Sequence, residues 1–202
     1  RVISAMRSST GMAGMMKASS SLNNPNSACI HVSSRPMTSP AMTPMMAIHT
    51  VAAGGGSILT FDGARFRVGP ESAGAAPGPA CYGRGGRRPT VTDANLVLGR
   101  LQPDAFLGGA MVLDVAAAGQ AVASVAGPLG LDVEAAARGI VEIANEHMAQ
   151  ALRVISVQRG IDPRDHVLVS FGGAGGLHVC ALAEALGMAQ ALVPVHAGVL
   201  SA

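Results

Sequence analysis

Five small residues in a row, Gly172-Gly173-Ala174-Gly175-Gly176, follow a β-branched run and precede a helical stretch. A glycine-rich turn between the carboxyl end of a strand and a helix lets a phosphate or sugar approach the backbone. No Cβ blocks the way, and the first N–H groups of the helix have no internal partner. The spacing matches neither the dinucleotide fingerprint G-x-G-x-x-G nor a P-loop, so a structural turn and a nucleotide site both remain open. His178 lies just inside the helix and either points into the same crevice or is a satisfied, partly buried imidazole. Asp93 and Asn95, in Thr92-Asp93-Ala94-Asn95, are of the types that position a metal or a substrate, but Thr92 or Asp93 capping a helix explains the same pattern. Cys81 has a nucleophile's chemistry without an identifiable base nearby, and a packed thiol is the plainer reading. Glu71 and Ser72 either line a site or stabilise a turn. Glu146 and His147 lie on a helix where no second His or Cys is spaced to complete a metal set, so no metal ligand is assigned.

These residues need elements to position them. Ser57–Phe61 alternates, Asp62-Gly63 is a turn dipeptide, and Arg65–Val68 reads as the return strand of a hairpin. Gly69 to Gly86 is so rich in Gly and Pro that an irregular loop is expected. A short helix begins within Asp93–Leu101, and a second spans Val115–Ala126, ended by Gly127-Pro128. The clearest pattern is a long amphipathic helix over Val133–Arg159. Asp132 is its N-cap, Glu134 is in its first turn, and Ala136, Ile140, Ala144, Met148, Ala151 and Ile155 form its apolar stripe. After a turn at Ile161-Asp162-Pro163, His166–Phe171 reads as a strand, Leu177–Leu186 as a helix and Ala191–Val195 as a second strand. The glycine turn therefore lies inside a parallel strand–helix–strand unit.

The 202 residues carry a net charge of +2, 2% aromatic residues and no Trp. No basic run and almost no base-stacking aromatics are present, which sets nucleic-acid binding aside. A core must be assembled from Ala, Val, Leu, Ile and Met, which bury less area per side chain than aromatics do. The three cysteines are far apart in sequence, without a CxxC pair, and fit a reducing, cytoplasmic setting. No uninterrupted apolar run reaches the roughly 20 residues of a membrane span. Residues 1–46 contain no acidic residue and are crowded with Ser, Met, Asn, Pro and Thr. They read as a disordered or foreign leader ahead of a domain at 47–202; a targeting peptide is disfavoured because Asn23-Asn24-Pro25-Asn26 interrupts any helix. Both ends of the chain read as cut, and poor solubility is expected of an incomplete fold.

Four blocks, Ala52–Ser57, VGPESAGAAPGPACYGRGG (Val68–Gly86), PTVTDANLVLGRL (Pro89–Leu101) and FGGAGGLHV (Phe171–Val179), occur in an order that resembles the hydantoinase A/5-oxoprolinase family. The resemblance implies an α/β fold, here a fragment of an actin-like (RNase H-like) ATPase fold incomplete at both ends. It also implies ATP and Mg²⁺ as cofactors, a small cyclic amide such as a hydantoin or 5-oxoproline as substrate, and a B-type subunit or domain as partner. In this picture Gly172, Gly173, Ala174, Gly175 and His178 lie at the nucleotide, and Asp93 and Asn95 are the catalytic candidates. Family members carry a phosphate-binding Gly-Gly-Thr loop upstream and another near the N-terminus; residues 1–46 have no Gly-Gly and no acid, so an inactive or incomplete fragment is expected. Two alternatives stay open: an acetone-carboxylase-like ATP-dependent carboxylase subunit, and a non-catalytic subunit-docking module.

Overall fold

A computed structural model describes residues 29–32, 53–61, 63 and 65–199. The first strand, β1, is Cys29–Val32, within the segment read as a leader; the rest of that segment and Asp62 of the hairpin turn lie outside the described residues. The remaining elements are β2 (Ser57–Phe61), β3 (Phe66–Ser72), α1 (Val91–Val97), α2 (Val115–Ala126), α3 (Val133–Gln158), β4 (Leu168–Phe171), α4 (Val179–Ala185) and β5 (Ala191–Leu192), an α/β architecture.

Among the described residues the strands form two sheets. β4 is the centre of a three-stranded sheet ordered β1-β4-β5, antiparallel to β1 with Cys29 opposite Phe171 and parallel to β5 with Leu168 opposite Ala191. β2 and β3 form the expected hairpin, with Leu59 opposite Val68 and Phe61 opposite Phe66. β3 does not stop at Val68, however. It continues through Gly69 and Pro70 to Ser72, which pairs with Ser57 across an irregularity in register. A two-stranded sheet has only edges, and an edge tolerates a proline that cannot donate to the ladder. Conversely, β5 is shorter than the Ala191–Val195 reading, and Val193 and Val195 beyond it are exposed.

α1, α2 and α3 each begin where a side chain accepts one of the open backbone N–H groups of the first turn. Asp132 accepts the Ala135 N–H at 2.7 Å to start α3, and Asp114 accepts that of Ala117 at 2.9 Å to start α2. The buried stripe of α3 keeps strict four-residue spacing through Ala136, Ile140, Ala144, Met148, Leu152 and Ser156; Ala151 and Ile155, placed in the stripe by sequence, are only half-buried. α3 packs against α1, α2, α4 and β3, and its alanines let these neighbours come close enough to share one apolar core.

Candidate functional site

Asp93 illustrates how the fold uses its most chemically suggestive residue. The cap of α1 is Thr90 rather than Thr92 or Asp93: Thr90 accepts the Asp93 N–H, and Asp93 returns a bond to the Thr90 N–H at 3.0 Å, a reciprocal capping box. The same carboxylate also accepts the Thr90 hydroxyl at 2.7 Å, the Cys81 N–H at 2.8 Å and the Ala80 N–H at 3.3 Å. Asp93 is fully buried, so these donors are what make its charge tolerable there. It brackets the turn Ala80–Tyr82 to the start of α1. Cys81 is equally buried, and burial, reinforced by the Asp93 carboxylate, pushes its thiol far above the usual range, which leaves it a packed thiol rather than a nucleophile. Asn95, 1% exposed, donates to the Val91 carbonyl at 3.0 Å while its Oδ1 is buried without a partner among the described residues.

Beside α1 lies a cleft of about 520 Å³, lined by Gly55, Thr92, Gly173 and Ala174 together with Tyr82, Arg84 and an apolar wall that includes Leu101, Phe106, Leu107 and Met111. Thr92 reaches it, whereas its neighbours Asp93 and Asn95 do not. The cleft's floor is built by a hub at Gly55, whose carbonyl accepts both the N–H of Thr92 at 2.8 Å and its hydroxyl at 2.9 Å. A Cβ on Gly55 would meet Thr92 Oγ1 at 2.8 Å and Ala174 Cβ at 3.5 Å, so only glycine allows this turn to touch both α1 and the glycine loop.

Within the glycine loop the residues divide sharply. Gly172 has φ +90° and donates its N–H to the Ala197 carbonyl. Gly173 borders the cleft, and a Cβ there would meet nothing within 4 Å. The N–H groups of Gly173 and Ala174 donate to no described residue. Gly175 faces the interior, where a Cβ would meet Ser170 Oγ at 2.5 Å. His178 turns inward with it. The structure buries it completely instead of turning it to the cleft, and its Nδ1 donates to Asn145 Oδ1 on α3 at 2.7 Å, leaving Nε2 without a partner among the described residues. Burial, with a contribution from the Arg100 charge, holds the imidazole down to about 4, so it is neutral at ordinary pH. α4 begins only at Val179, after a 3-10 turn at Gly175–Leu177, so the loop, and not a helix end, faces the cleft.

A model of the hydantoinase/oxoprolinase family matches residues 26–202. The chain belongs to that family. The alpha subunit of caprolactamase from Pseudomonas jessenii is 50% identical over 161 residues, 79% of this chain and 23% of the relative. 5-Oxoprolinase 1 of Arabidopsis thaliana is 45% identical, over 79% of this chain and 14% of its own. Among solved structures, the ATP-dependent caprolactamase of P. jessenii superimposes with a TM-score of 0.71 at 50% identity, covering 76% of this chain and 22% of that one. The nucleotide-free acetone carboxylase gives 0.69 at 37%, covering 75% and 22%. The chain thus spans about a quarter or less of the length of the curated relatives it matches.

Membership gives the cleft added meaning, because the four family-like sequence blocks converge on it. Gly55 comes from the first block, Ala75, Tyr82 and Arg84 from the second, Thr92 and Leu101 from the third, and Gly173, Ala174 and Leu177 from the fourth. The wall that sequence reading missed has no periodic signal: Phe106 and Leu107 belong to an irregular 3-10 segment, Pro103–Gly109, and Met111 lies two residues beyond its end. Leu107 has φ +52°, a conformation rare outside glycine. His147, exposed, lies on a separate groove beside Phe66 and Pro70, and Glu71 pairs with Arg88 at the surface. Among the described residues no group of His, Cys, Asp and Glu is arranged to hold a metal, and no helix is long and apolar enough to cross a membrane.

Proposed function

We propose that this chain carries a nucleotide-facing portion of an ATP-dependent enzyme that opens a cyclic amide, of the hydantoin or 5-oxoproline type. The observation that carries the reading is the convergence of the four family-like blocks on one cleft where the backbone at Gly173 lies bare. A ligand can approach the main chain there as closely as its own surface allows. ATP fits this chemistry: two N–H donors without described partners, a neighbouring Arg84 and a cleft of about 520 Å³. When bound, ATP supplies a phosphoryl group that converts an amide oxygen into a leaving group. What this chain's residues contribute is shape and position. Gly55 and Thr92 fix the floor, the Asp93 bracket fixes the rim, and the apolar wall excludes water.

Mg²⁺ is a different matter. No carboxylate lines the cleft among the described residues, and a hard cation needs oxygen ligands, so these residues do not by themselves fit the ion. Asp93 and Asn95 act as framework in this reading, not on substrate. A partner subunit fits the relatives, since the caprolactamase match is named as a subunit. The structural likeness to acetone carboxylase favours a second reading, an ATP-dependent carboxylase subunit; product analysis with bicarbonate and a ketone, set against a lactam or hydantoin, separates the two.

The test is ATP titration of the purified chain by calorimetry, with Gly173→Val beside it. The space around Gly173 predicts an intact fold in the variant and an affinity lowered by about tenfold or more, as a branched side chain fills the approach. A folded wild-type chain that binds no ATP would sink the reading.

A further inference from the structure

The cleft is electrically lopsided. Among the described residues Arg84 is the single charged side chain lining it, whereas Leu101, Phe106, Leu107 and Met111 make one wall apolar. The backbone that carries Arg84 is held unusually well for a surface loop. Cys81, three residues earlier, donates its N–H to Asp93, and its carbonyl accepts that of Asp114 at 2.8 Å. Gly83 takes the left-handed conformation, φ +65°, that turns the chain towards Arg84. Gly86 approaches the Gly78 carbonyl so closely that no Cβ could be accommodated. The side chain at the end of this rigid support is nevertheless exposed, and its hydrogen bond from Nη1 to the Ala75 carbonyl is stretched to 3.5 Å. A guanidinium has five donors in a fixed fork, so most of its capacity is open to an incoming anion. Next to it the Tyr82 and Phe106 rings lie 5.6 Å apart at 40°, an aromatic pair whose surface suits a flat uncharged group.

We propose that Arg84 is the phosphate-binding residue of the cleft, gripping the anionic end of a nucleotide while the Tyr82–Phe106 pair and the adjoining Leu107 and Met111 take its planar, uncharged end. The proposal rests on the nucleotide reading of the cleft and adds polarity to it: which side chain meets the charge and which surface meets the base. A guanidinium–phosphate contact is charge-assisted and can be bidentate, whereas an aromatic and aliphatic wall offers nothing to a phosphate and much to a heterocycle.

The experiment compares ATP and adenosine as probes on the wild-type chain, Arg84→Gln and Arg84→Lys, by calorimetry at fixed ionic strength, with thermal melting to check the fold. Because Arg84 is exposed, both variants should melt like the wild type. Arg84→Gln should weaken ATP by about tenfold and leave adenosine within about twofold, with Arg84→Lys recovering part of the loss. The wild type should also lose ATP affinity with added salt more steeply than Arg84→Gln. ATP binding unchanged in Arg84→Gln would overturn the proposal while leaving the nucleotide reading intact, and so would equal loss of ATP and adenosine. Binding of 5-oxoproline that depends on Arg84 when ATP binding does not would reassign the residue to a substrate carboxylate and equally overturn it. A folded wild type that binds neither ATP nor adenosine would remove the nucleotide reading and the proposal with it.

Discussion

The turn bracketed by Asp93 and the glycine loop at Gly172–Gly176 handle polar groups in opposite ways. Around Asp93 the N–H groups of Ala80, Cys81 and Thr90 and the Thr90 hydroxyl all converge on one buried carboxylate. At Gly173 and Ala174 the backbone donors meet no described partner. A saturated cluster contributes rigidity, and an unsaturated one beside a cleft contributes binding capacity. The residue with the more reactive chemistry is the one turned to architecture, and the residues with no side-chain chemistry face the cleft. The two regions are coupled through the cleft itself, because the Asp93 bracket holds the segment that carries Tyr82 and Arg84 to its rim.

The largest effect should come from breaking the saturated side. Asp93→Ala would strand several buried donors at once and cost about 4 kcal/mol, read as a shift in the urea unfolding midpoint; Asp93→Asn, which keeps part of the acceptor capacity, should cost less. Next in size is a pH effect centred on His178, whose imidazole, buried and facing the Arg100 charge, is held at about 4 in the fold against a usual 6.5. The folded state binds fewer protons than the unfolded chain between these values. Stability is therefore full above about pH 6.5 and falls as pH drops towards 4, by on the order of 3 kcal/mol in total. His178→Gln should flatten that slope in denaturation curves run across the window. Smaller again is Gly175→Ala, where the Cβ would collide with Ser170 Oγ at 2.5 Å, for a loss of about 2 kcal/mol in the same assay. The smallest stability change belongs to Gly173→Val, within about 1 kcal/mol, although its effect on ATP binding is large. Equal destabilisation by Gly173→Val and Gly175→Ala would erase the distinction between the open and closed halves of the loop.

Much of the fold was legible where local chemistry decides it. α2 begins and ends at the residues its pattern indicates, and α3 departs from its pattern by a single residue at its end, since an Asp cap and a four-residue stripe are both local signals. β3 ran past its expected end because the partner of Ser72 is Ser57, a pairing that Gly and Pro content does not reveal. The cap of α1, read as Thr92 or Asp93, lies two or three residues earlier at Thr90, because the capping box depends on a return bond from Asp93. For the site, Gly173 and Ala174 were readable as a bare backbone loop. The choice between the two readings of His178 was not, since it is set by Asn145, 33 residues away. Nor was the wall around Phe106 and Leu107, whose conformation obeys no period.

The burial of Cys81 offers a gauge of the molecule's breathing. Its thiol, fully enclosed and held protonated, should ignore alkylating reagents, while Cys180 on the surface of α4 reacts at once. With Cys29 replaced by serine and Cys180 blocked, slow modification of Cys81 would report each transient opening of the turn around it. The rate, compared with that of a free thiol, converts directly into the free energy of that opening. A nucleotide that grips Arg84 would slow this clock, so ligand binding could be timed from a sulfur atom that never touches the ligand.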